Sequence, residues 1–172
     1  MIIFHLMEIL GATIVGRFLD DDDNDKRYTR NRTLGKRTRA KLCLGSFLVI
    51  NSIGNIIAAH EEFVAKTSLL PTAHDISNMA VALPSIAFVC WGFADAQIQV
   101  YSYWLIGECY KSGHDHARAV GFYKLVQSLG TSIGFYLIPV SRLTELMQLM
   151  CSSMVFATGS LMAFTQLPSG FV

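Results

Sequence analysis

The third apolar stretch of the chain, residues 77–107, reads SNMAVALPSIAFVCWGFADAQIQVYSYWLIG and decides the fold class. Its 31 residues contain one charged side chain, Asp95. A membrane-spanning helix needs about 20 mostly apolar residues, so this stretch is longer than one bilayer crossing requires. Pro84 and Gly92 lie inside it. The stretch therefore predicts a membrane-embedded helix that is either tilted or broken.

Other apolar stretches precede and follow this one, and none of them shows the period of two that is typical of a strand. Polar segments separate them, above all the charged loop 20–41 and a tight turn at 141–145. The sequence predicts a single membrane domain over residues 1–172. Its fold class is an all-α polytopic helix bundle with about five transmembrane helices. The predicted spans are about 1–19, 42–59, 77–107, 118–138 and 146–167.

The composition excludes several classes of protein. Hydrophobic residues make up 52% of the chain and charged residues 16%, whereas a soluble domain has about 25% charged residues. The net charge of +1 provides no field that would attract nucleic acid. No P-loop, GxSxG or HExxH motif is present, so we expect no enzymatic activity and no cofactor. Cys109, His114 and His116 have no fourth ligand in reach, so we expect no metal site.

The basic residues set the expected orientation in the membrane. Nine Lys and Arg residues lie between Arg17 and Lys41, and the 108–118 loop adds Lys111 and Arg118. Because cytoplasmic loops carry an excess of Lys and Arg, we place these two segments and the C-terminus in the cytoplasm. The N-terminus then lies on the outer side. A chain that begins within a span and has an odd number of spans is expected to be the tail of a larger protein.

Polar side chains inside the spans are the candidate functional residues. An ionisable group at bilayer depth costs about 2.5–3.5 kcal/mol on insertion scales, so Asp95 requires an explanation. Gly92, Gln99 and Ser102 share its helix face. This face can bind a cation, relay a proton or hydrogen-bond a neighbouring helix. The pathway candidates are Asp95, Gln97, Gln99, Asn51, Asn55 and Gln127.

Several polar or small residues have a simpler interpretation. Asn51 and Asn55, four residues apart, more readily bond a partner helix than line a pathway. Lys124 lies a short way into the fourth span and is expected to extend to the cytoplasmic surface. Gly130 and Gly134 form a GxxxG pattern, whose default interpretation is close helix packing. These features alone do not indicate a function.

Two motifs resemble a known family. Residues 92–101, GFADAQIQVY, resemble the G-F-x-D-A-x-x-Q-x-Y signature of the Unc-93-like branch of the major facilitator superfamily. The following YWLIG at 103–107 is similar to fungal members, and residues 118–130 look like the next helix of that branch. The resemblance covers residues 11–167. It implies that the spans correspond to the last five helices of a twelve-helix transporter.

A second motif lies in the charged loop. Residues 16–20, GRFLD, and 34–39, LGKRTR, together resemble the superfamily loop motif G-x-x-x-D-R/K-x-G-R/K-R, with an acidic insertion between the two parts. The resemblance implies a breakable cytoplasmic latch. The latch candidates are Gly16, Asp20, Gly35, Lys36 and Arg37. The alternative is a solvated loop that only fixes the topology.

The resemblance implies a transporter, a partial chain that moves a small solute or ion by alternating access. The alternative is a non-transporting membrane regulator or chaperone that binds a channel or receptor through its polar intramembrane residues. A third possibility is a truncated product with no function of its own. The expected partners are the lipid bilayer, a missing N-terminal half or a second copy, and a further membrane protein. The expected location is multi-pass in a membrane, with plasma membrane and endomembrane both open.

Overall fold

The computed structural model describes residues 2–20, 35–67, 81–137 and 143–165. They form five helices, and no strand occurs within these ranges. The helices are α1 (Ile2–Asp20), α2 (Lys36–Thr67), α3 (Ala82–Cys109), α4 (Gly113–Leu137) and α5 (Glu145–Thr165). The predicted all-α helix bundle is confirmed.

The helices extend beyond the predicted spans at some charged residues. Such residues are unfavourable inside a membrane but can still form a helix. Residues 36–41, placed in the charged loop, form the start of α2, and the Gly35 carbonyl accepts hydrogen bonds from the amides of Thr38 and Arg39 at 2.8 and 3.1 Å. Lys and Arg are good helix formers, so their charge ends an apolar stretch but not a helix. The acidic insertion of the charged loop and part of the 141–145 turn lie outside the described residues.

Over its described residues, the third stretch forms one unbroken helix. α3 runs through Gly92 without interruption. Pro84 lies in its first turn, where the missing N–H removes no helical hydrogen bond. Of the two alternatives, a broken helix is therefore not observed from Ala82 to Gly107.

Three of the described helices have the length and composition to cross a membrane: Ile2–Asp20, the Lys36–Val64 part of α2, and Glu145–Thr165. These apolar helices associate the chain with a membrane. α3 and α4 are not in this set because polar side chains interrupt their apolar residues. Their crossing of the bilayer remains a prediction.

α3 is the central helix of the bundle. α1 and α2 pack along it, α5 packs on α2, and α4 approaches α3 alone among the described helices. A Cβ atom added to Gly92 would lie 2.5 Å from the carbonyl oxygen of Phe4, and one added to Gly11 would lie 3.1 Å from that of Phe93. The backbones of α1 and α3 are therefore in direct contact, which only glycine permits.

The hydrophobic core lies mainly where α1 ends and α2 begins, and it extends to Ala94 in the middle of α3. Its members are apolar and almost fully buried. The largest of them are Val15, Leu19, Leu44, Phe47 and Tyr101.

Candidate functional site

A cavity of about 430 Å³ lies among α1, α2, α3 and α5. This volume is in the range of small-molecule sites. Its polar lining residues are Asn51, Asn55, Asp95, Glu145, Gln148 and Ser152. Its aromatic lining residues are Phe4, Phe47, Trp91 and Phe156. The cavity thus combines apolar walls with a few polar groups, as binding sites for small molecules do.

Asp95 is held in the cavity wall by two neighbours. Gln99, one turn further along α3, donates from Nε2 to Asp95 Oδ2 at 2.8 Å. Glu8 of α1 approaches the Asp95 carboxyl, and the ring of His5 contacts Glu8 Oε2 at 2.6 Å. Two ionised carboxyls close to each other repel, so a proton or another cation beside them is favoured.

Asn55 joins three helices beside the cavity. The Trp91 indole Nε1 donates to Asn55 Oδ1 at 2.9 Å, and Asn55 Nδ2 donates to Ser153 Oγ of α5 at 2.8 Å. Both ends of the amide are therefore engaged within the chain. Asn51, one turn earlier on α2, lines the same cavity and is 9% exposed.

Gln97 faces away from the cavity. Its Nε2 donates to the Cys43 carbonyl at 2.8 Å and to Ser46 Oγ, which ties α3 to α2. Gln97 Oε1 and Tyr101 Oη are buried and have no hydrogen-bond partner among the described residues. Residues two apart on a helix point in different directions, so Gln97 and Gln99 have different neighbours although the motif contains both.

Gln127 lies on α4, outside the cavity lining. It accepts a hydrogen bond from Lys124 Nζ at 2.9 Å. The same ammonium group lies over the rings of Tyr103 and Tyr123, at 5.3 and 5.6 Å from their centroids. The structure therefore places Asn51, Asn55 and Asp95 in the cavity wall and Gln99 behind it, whereas Gln97 and Gln127 lie elsewhere.

Where α2 begins and α3 ends, Lys36 binds Glu108. Lys36 Nζ lies 3.1 and 3.2 Å from the two carboxyl oxygens, and Lys111 Nζ lies 3.3 Å from one of them. Burial alone would raise the pKa of the Glu108 carboxyl, but hydrogen bonds and positive charge from the two lysines outweigh it and lower the pKa. This pair links the start of α2 to the end of α3.

The other latch candidates lie at the surface of the described part of the chain. Asp20 and Arg37 are exposed at the end of α1 and the start of α2, and Gly35 is exposed as well. An added Cβ at Gly16 or Gly35 would meet none of the described residues within 4 Å. The sequence motif pointed to Lys36, but its acidic partner, Glu108, follows the YWLIG segment and not the G-x-x-x-D motif.

Sequence reasoning missed the contribution of α5. Glu145, Gln148 and Ser152 all line the cavity. Gln148 and Ser152 repeat the four-residue spacing of Asn51 and Asn55. That repeat in an otherwise apolar helix is the signal that would have identified them, because residues four apart share a helix face.

Among known proteins, the chain is similar to an UNC93-like protein of Schizosaccharomyces pombe, with 25% identity over 168 residues. The similarity covers 91% of this chain and 31% of that protein, so the chain spans about a third of the length of its relative. No protein-family model and no solved structure matches the chain. The chain is therefore a membrane-associated helix bundle similar to part of an UNC93-like protein.

Proposed function

We propose that the chain is part of an Unc-93-like multi-pass transporter of the major facilitator type, which moves a small solute or ion through the cavity. The observation that carries the proposal is the cavity of about 430 Å³ with Asn51 and Asp95 in its wall. Polar groups among membrane helices are costly and mark solute pathways by default. The motif at 92–101 and the similarity to an UNC93-like protein support the same assignment.

In this proposal the cavity and the ion pair at the end of α3 have different roles in alternating access. Secondary transporters work by rocking one helix bundle against another around a central site. The cavity meets α3 at residues 91–98, in the middle of the helix, and the Lys36–Glu108 pair lies at the end of α3. With the orientation expected from the basic residues, the ion pair closes the cytoplasmic side of this central cavity.

The remaining wall of the pathway has to come from elsewhere. We propose that it is supplied by the part of the protein that this chain does not span, or by a second copy of the chain. The 31% coverage of the UNC93-like relative favours the first source. No covalent chemistry and no cofactor are needed for the proposed activity.

The test is uptake of a solute panel into cells or liposomes that contain the full-length protein. We expect Asp95→Asn and Asn51→Ala to reduce uptake by at least about tenfold while membrane insertion is retained. Ser132→Ala is the matched control, because Ser132 is exposed on α4 and bonds the Ser128 carbonyl of its own helix. Full uptake by Asp95→Asn would contradict the proposal.

A non-transporting regulator or chaperone is the second candidate, and α4 is the observation that favours it. α4 approaches α3 alone among the described helices and exposes large apolar residues such as Phe122, Leu125 and Phe135. A partner helix can pack on this face. Loss of a co-purifying membrane protein on Phe135→Ala, with no uptake activity in the wild type, would favour this candidate over the transporter.

A further inference from the structure

We infer that the cavity takes an amphipathic organic cation, a ligand with a positively charged nitrogen and an apolar or aromatic body. This inference rests on the proposed function and gives the substrate class of the same cavity. Three observations carry it: the sign of the charges around the cavity, its aromatic walls, and its volume.

The charged groups at the cavity are acidic. Asp95 and Glu145 belong to its lining, and Glu8 of α1 adds a negative charge near Asp95. No Lys, Arg or His occurs among the described residues that line it. An anionic ligand would meet like charge in a medium of low dielectric constant, where repulsion is strong, whereas a cation would be attracted.

The basic groups that interact with Asp95 and Glu8 are not part of the cavity lining. His5 contacts Glu8 from the surface, with 64% of its side chain exposed. Lys124 interacts electrostatically with Asp95, but its ammonium group bonds Gln127 and lies over Tyr103. A cationic ligand is therefore a charge partner that can reach Asp95 from inside the cavity.

The walls favour an organic cation over a bare metal ion. Phe4, Phe47, Trp91 and Phe156 bring one ring each from α1, α2, α3 and α5. Aromatic rings bind alkylammonium groups, which are weakly hydrated, whereas small metal ions require a dense shell of oxygen ligands. The Trp91 N–H is already bonded to Asn55, so its ring is what remains for a ligand.

The volume leads to the same class. A cavity of about 430 Å³ far exceeds the volume of a single dehydrated ion and suits an organic molecule.

Asn51 and Gln148 offer neutral amide oxygens beside the carboxyls. These oxygens can accept hydrogen bonds from the N–H groups of a protonated amine. The amides thus orient a ligand that the carboxyls attract.

The test uses benzyltrimethylammonium, whose charge is permanent, and neopentylbenzene, which replaces its nitrogen by carbon at nearly the same shape. Binding is measured as the shift in thermal unfolding of the full chain in lipid nanodiscs. We expect the cation to stabilise the protein in a saturable manner and the neutral isostere to bind at least about tenfold more weakly. Equal binding of the two ligands, or no stabilisation by the cation, would overturn the inference.

Variants localise the effect. Asp95→Asn should weaken binding of the cation at least about tenfold, whereas Asp115→Asn, a carboxyl on the exposed start of α4, should leave it unchanged. If Asp95→Asn does not fold, Glu145→Gln and Phe156→Leu replace it, each with an expected several-fold loss. Undiminished binding in the folded variants would place the cation elsewhere and overturn the inference.

Uptake measured in parallel separates this inference from the proposed function. Binding of benzyltrimethylammonium without uptake of any solute contradicts the transporter and leaves the cation site in place. Asp95-dependent uptake of a neutral or anionic solute, with no binding of the cation, overturns the inference and leaves the transporter in place.

Discussion

α3 and α4 are consecutive helices of similar length whose polar residues differ in how often they bond another helix. On α3, Trp91 and Gln97 donate to α2, and Asp95 meets Glu8 of α1. On α4, Thr131 and Ser132 bond carbonyls of their own helix. Polar residues of a membrane helix are informative about function only when their partners lie on another helix or in a cavity.

The glycines of the two helices differ in the same way. Gly92 stands alone in the sequence, yet an added Cβ would meet the backbone of Phe4. Gly130 and Gly134 form a GxxxG pattern, yet an added Cβ at either would meet nothing within 4 Å in the ranges that the structure describes. Close helix packing therefore depends on a facing backbone, and the spacing of glycines does not establish it.

The largest expected effect is that of Gly92→Val. The added side chain would press on the Phe4 carbonyl, which is backbone and cannot rotate away. We expect a loss of about 3 kcal/mol in the free energy of unfolding, measured by denaturant titration in mixed micelles. Gly130→Val on α4 is the control and should change stability by less than about 1 kcal/mol. Equal losses at the two sites would contradict the difference between the helices.

A smaller loss is expected for Asn55→Leu. This change removes the bonds to Trp91 and Ser153, and interhelical hydrogen bonds in membranes contribute about 0.6 kcal/mol on average and up to about 1.7. We expect a loss of about 1–2 kcal/mol in the same titration. The matched control is Gln127→Leu, whose amide bonds only Lys124 on its own helix among the described contacts and should cost less than about 0.5 kcal/mol. If Asn55→Leu leaves the free energy of unfolding unchanged, the hydrogen bonds of Asn55 do not stabilise the contact among the three helices.

The Lys36–Glu108 pair predicts a pH dependence. The pKa of Glu108 in the folded state is lowered, so the pair's stability is fully present above the unfolded value of about 4.3 and is lost as pH falls through the folded value. Because Lys36 is 37% exposed, we expect at most about 1 kcal/mol.

Glu108→Gln should abolish that dependence. Unfolding of the wild type and of the variant is compared between pH 3 and pH 7, and the stability difference between them should decrease towards the acidic end. Asp115→Asn is the control, since its carboxyl is 56% exposed and 3.6 Å from His114. If the wild type becomes more stable relative to Glu108→Gln as the pH falls, the predicted direction of the pH dependence is wrong.

The smallest effect is expected on α4, at Lys124. A double-mutant cycle of Lys124→Met with Tyr103→Leu should give a coupling energy of about 0.5 kcal/mol, since the cation–π contact is exposed. This contact is one of the links between α3 and α4. A coupling above about 2 kcal/mol would mean that α4 is fixed as firmly as α1.

The sequence predicts the helices well because apolar stretches of sufficient length leave few alternatives. Asn51, Asn55 and Asp95 could be selected as candidates because polar groups at membrane depth are costly. Which of these residues line the cavity and which bond another helix could not be predicted, because this depends on which helices are neighbours. α2 and α5 are far apart in the chain, and nothing local in residues 42–59 shows that Ser153 is the partner of Asn55.

The residues at the ends of helices were the least predictable. Glu108 lies directly after the YWLIG segment and was assigned to a polar loop, whereas it is the acidic partner of Lys36. Glu145 was assigned to a turn, yet it begins α5 and lines the cavity. Charged residues at such boundaries have long side chains that reach neighbouring helices, and the one-dimensional pattern does not contain those neighbours.

The helices of the cavity wall are held in two different ways. α1 meets α3 backbone to backbone, and the Gln97 bonds join α2 to the same helix. α5 is held to α2 by side-chain contacts such as Asn55–Ser153 and the Phe47–Phe156 ring pair. If the cavity carries a solute, as proposed, α5 is the wall helix whose contacts can be exchanged for contacts to the solute without separating two backbones.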